Sequence, residues 1–210
     1  MSTTRANSKR KDMVAAALRL FAERGIKATT IRDIAQEAGV TEGALYRHFA
    51  SKEQLAQSLF AECAAILYQS LSAAIDGVEG SHARLCALAR GFFDFAETNP
   101  EAYEFVMARH HDSVTGPRPG QPLPKDIFVN VMREGMAAGE LRTMDAHLAA
   151  AMMIGMCLRT VFFWDRGMIK ATREEIVGEI CEALHRIFEM DAETVQKNGH
   201  LAGVPQELRI

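Results

Sequence analysis

Cysteine is scarce in this 210-residue chain. The four residues, Cys63, Cys86, Cys157 and Cys181, lie far apart and show no CxxC spacing. That pattern speaks against a zinc site or a disulfide framework. With Ala, Leu, Ile or Met close by, all four read as small apolar core residues in a reducing compartment. Proline is scarce too: of six, four crowd into Pro117–Pro124, leaving the rest of the chain free to be helical. Few β-branched runs occur, and no Asn-Gly or Asp-Gly hairpin signal sits between alternating strands. The longest apolar stretch, Ala149–Trp164, is interrupted by Arg159 and too short to suggest a membrane span. The start is polar and basic, unlike a secretory signal, so a cytoplasmic chain with no membrane partner is expected. A Ser/His/Asp set, a paired-carboxylate motif and a Gly-rich phosphate loop are all missing, so neither enzyme activity nor catalytic residues nor a cofactor are expected. His110-His111-Asp112 is a poor metal motif, because adjacent helical side chains point about 100° apart; a helix-end role suits the pair better.

What is present is an apolar content of 48%, enough for a core, and an uneven charge. Net charge is -3, yet residues 1–50 carry nine Lys+Arg against five Asp+Glu, while the rest carries 15 against 22. A basic quarter on an acidic body fits a small footprint for phosphate. Arg5, Lys9, Arg10 and Lys11 fit either tail contacts with a nucleic acid or a solvated basic stretch.

Apolar spacing and capping signals predict an all-α chain of about nine helices. After a tail over residues 1–6, the first helix runs from Asn7 to Arg24 on a Val14, Leu18, Phe21 stripe and stops at Gly25. Thr30 caps a short second helix with Asp33 at its third position, Gly39 ends it, and Thr41 caps a third over Glu42–Phe49. Ser51 with Gln54 opens a long fourth helix to Ile75. Further helices are expected over His82–Thr98, Pro100–His111, from about Ile127 to Gly139, from Asp145 to Arg166, and from Thr172 to Met190. Asp112–Pro124 reads as loop.

Two short helices joined by a tight glycine turn form a helix-turn-helix, whose second helix enters the major groove of duplex DNA. Small Gly43 and Ala44 let that helix approach base edges, and Ala44 or Thr41 suits a thymine methyl. Glu42 fits two roles, accepting from cytosine or stabilising the helix N-terminus. Tyr46 fits packing or DNA contact, and its place beside Arg47 and His48 favours DNA.

The run TTIRDIAQEAGVTEGALYRHFASKEQL, Thr29 to Leu55, resembles the N-terminal domain of the TetR family of repressors, with the likeness covering about residues 8–55. The resemblance implies a three-helix DNA-binding head over 1–50, a helical effector-binding and dimerisation body over 51–190, and a polar tail over 191–210. It places Thr30 and Arg32 near the DNA backbone or a base edge, and Thr41, Glu42, Gly43, Ala44, Tyr46, Arg47 and His48 on or near the recognition helix. Tyr46 and His48 match phosphate-holding positions and Lys52 a phosphate clamp, while Ile34, Val40, Leu45 and Phe49 match the core. It also implies a homodimer on a double-stranded operator and a repressor released by a small-molecule effector, with regulation free of such a ligand as the alternative.

In the body, Ala149, Ala150, Met153, Cys157 and Thr160 offer a flat face for a twofold partner. So does the stripe Ile176, Ile180, Ala183, Leu184 and Ile187; for both, intrachain core is the rival reading. Phe92, Phe95, Tyr103, Met107, Phe128, Met132, Met156, Phe163 and Trp164 are candidate pocket residues, each also able to serve as plain core. Arg159, inside an apolar helix, is expected to need an anion, and a salt bridge is the first expectation.

Overall fold

The computed structural model describes residues 2–108 and 122–188, with side chains from Lys9 onward. The histidine pair, most of the Pro-rich loop and the C-terminal tail lie outside the described residues. Nine helices and no strand occur among the described residues: α1 (Ser2–Ala28), α2 (Ile31–Glu37), α3 (Glu42–Tyr46), α4 (Lys52–Ile75), α5 (Ser81–Thr98), α6 (Pro100–Ala108), α7 (Pro124–Ala137), α8 (Ala146–Asp165) and α9 (Arg173–Phe188).

The head forms where local signals place it. Helix α1 starts at Ser2 rather than Asn7 and breaks at Gly25, whose φ of 77° and ψ of 161° suit glycine alone. It buries Met13, Ala16, Ala17, Leu20 and Phe21, one position round from the expected stripe, while Val14 and Leu18 pack at the edge. Thr30 caps α2 through a reciprocal box with Asp33. Gly39, at φ 63°, ends it in a Schellman motif, with Val40 N–H donating to Ala35 O (2.9 Å) and Gly39 N–H to Gln36 O (3.2 Å). Helix α3 is shorter than expected, ending at Tyr46, with Arg47–His48 in a closing turn. Leu45, Phe49, Ile34 and Leu55 form the head core.

Helix α4 runs from the head into the body, where it packs on α5 and α7. A second connection joins the two parts: α6 lies on α1, with the Phe21 and Phe105 rings stacked at 5.9 Å and 17°. The start of α5 is held by Glu140. Ser81 is buried in the first turn and its N–H donates to Glu140 Oε2 at 2.6 Å. Hydrogen bonds from the Ser81 hydroxyl and N–H hold the Glu140 carboxyl below its ordinary pKa.

Helix α8 corrects an expectation. Ala149, Ala150, Met153 and Cys157 face the chain's own core, fully buried against α7 and its neighbours. On α9, Ile176, Ile180 and Leu184 are likewise intrachain core. Leu148, Met152 and Phe163 form the exposed side of α8. A helix apolar all round carries no periodic signal to tell which face turns inward.

Gly135 of α7 sits where these elements meet. A Cβ there would stand 2.5 Å from Ser81 Oγ and 2.6 Å from Leu141 Cδ1. Gly135→Ala is expected to destabilise the chain by about 1–3 kcal/mol through overpacking, read as a fall of several degrees in Tm at fixed protein concentration. An unchanged Tm would show that the α5–α7 junction has slack.

Candidate nucleic-acid interface and effector cavity

Helix α3 has two unlike faces. Leu45 is 0% exposed and Phe49, just past the helix, is buried, and the helix packs on α2. Between them Tyr46 is 54% exposed, and Arg47 and His48 are exposed too. Thr41, Glu42 and Gly43 lie open at the N-terminal end, with Ala44 half-buried and Thr30 and Arg32 exposed on α2. Thr41 caps α3 by accepting from Ala44 N–H at 3.2 Å. The Thr30 hydroxyl and N–H bind Asp33 at 2.7 and 2.8 Å, and in that order hold its carboxyl below its ordinary pKa. The box is thus intact at neutral pH and weakens only as acid protonates Asp33.

Gly43 has no fold-based reason to be glycine. Its φ is not positive, and a Cβ there would meet nothing within 4 Å. A helix former is available at no steric cost, so the small residue suits an object outside the chain that comes close.

Lys52, the expected phosphate clamp, is also engaged within the chain. Its ammonium donates to Ile26 O and Thr29 O, both at 2.7 Å, closing the end of α1. Thr29, which the sequence reading passed over, is buried, with its hydroxyl reaching Gly25 O (2.9 Å) and Leu20 O (3.2 Å). Arg10 is occupied within the chain as well, pairing with Glu62 of α4 at 2.8 Å and lying 5.6 Å from the centre of the Phe49 ring. Arg19 pairs with Glu37 at 2.7 Å, tying α1 to α2. The sequence signal for these links was only charge, with no spacing to match the partners.

The candidate pocket residues do not gather in one place. Tyr103, Met107, Arg159 and Trp164 line a cavity of about 520 Å³ bounded by α6 and α8, by Ala96 of α5 and by Ala22 of α1. Phe92, Met107 and Phe128 line a second of about 80 Å³ between α4, α5, α6, α7 and α8. Met107 belongs to both walls. Met156 lines a groove between α8 and α9, Phe95 and Met132 are fully packed core, and Phe163 is exposed. Burial pushes the Tyr103 phenol well above its ordinary pKa, so it enters the cavity wall as a neutral hydroxyl, 3.4 Å from Leu158 O. The Trp164 indole N–H donates to Ala171 O at 3.1 Å. Arg159 lies over the Phe162 and Phe163 rings, at 4.7 and 5.4 Å, in place of the expected ion pair.

The family described as bacterial regulatory proteins, tetR family, matches residues 13–59. The HTH-type transcriptional repressor KstR2 of Mycobacterium tuberculosis H37Rv is 30% identical over 141 residues, spanning 65% of this chain and 70% of that protein. Among solved structures, the transcriptional regulator FadR of Bacillus subtilis, in complex with stearoyl-CoA, is similar with a TM-score of 0.69 at 21% identity, over 83% of this chain and 97% of its own. AibR, in complex with isovaleryl coenzyme A and operator DNA, has a TM-score of 0.69 at 20% identity, over 84% of this chain and 97% of its own.

Two outcomes separate contact residues from structural ones. Tyr46→Ala and Gly43→Ala are expected to bind duplex DNA more weakly while Tm stays unchanged, or rises slightly for Gly43→Ala, where alanine adds about 0.5–1 kcal/mol of helix stability. Full DNA affinity in both would remove these residues from the interface. Lys52→Met is expected instead to lose about 1.5–3 kcal/mol of stability with its two charged hydrogen bonds, read by urea denaturation. Wild-type stability in that variant would return Lys52 to a purely external role.

Proposed function

Because the chain belongs to the TetR family of bacterial transcriptional regulators, we propose that it is a homodimeric repressor that a small molecule releases from operator DNA. The observation that carries the DNA-contact assignment is the exposure of Tyr46, Arg47 and His48 on a helix pinned from beneath by Leu45 and Phe49. In this reading Thr41, Glu42, Gly43 and Ala44 meet base edges in the major groove, while Thr30, Arg32, Tyr46, Arg47 and His48 fix the head on the backbone. Any third donor of Lys52 adds to the phosphate set without leaving the carbonyls of α1.

A twofold partner is required to read two half-sites about 34–36 Å apart. Support for one comes from the outer side of α8. Leu148 is 55% exposed, with Met152 and Phe163 further along the helix, and Met168 just beyond it is 53% exposed. The adjoining α8–α9 groove, lined by Met156, Thr160, Ile180 and Ala183, extends this apolar surface. A second copy seated there would form a four-helix seam.

The cavity of about 520 Å³ is the proposed effector site, since it alone among those described touches both α6 and the head helix α1 through Ala22. An occupant that wedges α6 from α8 would shift the Phe21–Phe105 contact and with it the spacing of the two heads. The ligand must favour the state that does not bind DNA, and by linkage DNA then weakens the ligand equally. Acyl-coenzyme A thioesters are the first class to test, because two solved regulators of this fold hold them.

The test is operator binding with salt and ligand varied. Affinity is expected to fall by about three orders of magnitude or more between 50 and 200 mM salt if about six phosphates are neutralised. A thioester series is expected to raise Tm and weaken the operator complex together. Salt-insensitive binding would refute the interface. Ligands that raise Tm without touching operator affinity would refute release.

A further inference from the structure

Two cavities in the body share a wall. The effector cavity of about 520 Å³ and the apolar one of about 80 Å³ are both lined by Met107 of α6. Tyr103, one turn earlier on the same face of α6, belongs to the first, and Phe92 of α5 to the second. Their rings meet edge to face, with centroids 5.8 Å apart and planes at 86°. The partition is therefore two aromatic rings and one thioether side chain. Tyr103 and Phe92 are buried, and the Tyr103 hydroxyl stands 3.4 Å from Leu158 O, whereas Met107 is half-buried. Methionine is unbranched and flexible, so it is the part of the partition that moves aside most readily.

The two compartments differ in chemistry. The effector cavity has Arg159 and Arg166 in its wall together with Glu104 and Asp165, so the polar part of a ligand belongs there. The smaller one is walled by Phe60, Leu67, Phe92, Phe128 and Ile154, with Lys125 the one charged side chain among the described residues that line it. An apolar cavity of this kind stays dry and takes an apolar guest. Its volume of about 80 Å³ suits about three groups the size of a water molecule, which is close to the size of a methylene. A flexible chain threads past one displaced side chain, and a rigid fused-ring system does not.

We propose that Met107 is the specificity-determining gate between these compartments, and that the ligand is a linear acyl chain. Its polar head stays in the first cavity while the end of the chain passes Met107 into the second. The proposal rests on the effector reading of the first cavity and adds to it the shape of the ligand and the residue that measures its length.

The experiment measures direct binding to the free full-length protein by calorimetry, with two series of straight-chain ligands from butyryl to stearoyl: acyl-coenzyme A thioesters and the free fatty acids. Affinity is expected to rise about fourfold per added methylene and to level off once the smaller cavity is full. Ala64→Leu, which fills that cavity from α4, and Met107→Phe, which closes the partition with a stiffer side chain, are each expected to level off about three methylenes earlier. The rise over shorter chains is expected to persist in both. Thermal melts verify the fold of each variant. Either series with this behaviour supports the proposal, and the series that binds tells thioester from free acid. An identical dependence on chain length in the wild type and both folded variants overturns the gate, as does failure of both series to bind. Operator affinity is measured separately: ligands that bind with the expected length dependence and leave it unchanged uphold the gate and refute release.

Discussion

The ammonium of Lys52 is the joint on which the geometry of the head depends. The backbone of Lys52 begins α4, while its side chain satisfies the carbonyls of Ile26 and Thr29 at the end of α1. Carbonyls at a helix end have no intrahelical partner, and a charged donor meets that need more strongly than water does. One residue therefore sets the direction of α4 from the place where α1 stops, and α2 hangs from the adjacent Thr30 cap. Arg10 repeats the link a few turns along through Glu62. Helix α1 cannot turn relative to α4 without breaking these bonds.

Helix α6 gives the body a second hold on the head. The Phe21–Phe105 stack is apolar and tolerates sliding more readily than the hydrogen bonds at Lys52 do. A polar joint and an aromatic one thus hold α1 at different points. The cavity beside α6 sits at the aromatic joint, and Met107, a flexible side chain shared by both cavities, forms its adjustable wall.

Apolar helices proved harder to orient than to find. The extent of α8 follows from its composition and from the Asp145 cap, which accepts from Leu148 N–H at 2.8 Å. Its inner and outer faces do not, because alanine and methionine on one side and leucine, methionine and phenylalanine on the other are equally content against protein. The candidate pocket residues scattered for the same reason: Phe95 and Met132 became core while Tyr103 and Met107 lined a cavity, and an aromatic or Met residue carries no mark of which fate awaits it.

Where a residue's partner lies within a turn or two along the chain, sequence was enough. The Thr30–Asp33 box, the Thr41 and Ser51 caps and the Gly39 stop are all local bonds, and together they specify the head, its exposed α3 face and the family it belongs to. Where the partner comes from a distant helix, folding alone made the choice. Lys52 with Thr29, Glu140 at the start of α5 and Arg159 on aromatic rings depend on how helices pack. Packing is settled by summed contacts over whole faces, which no short window of the chain contains.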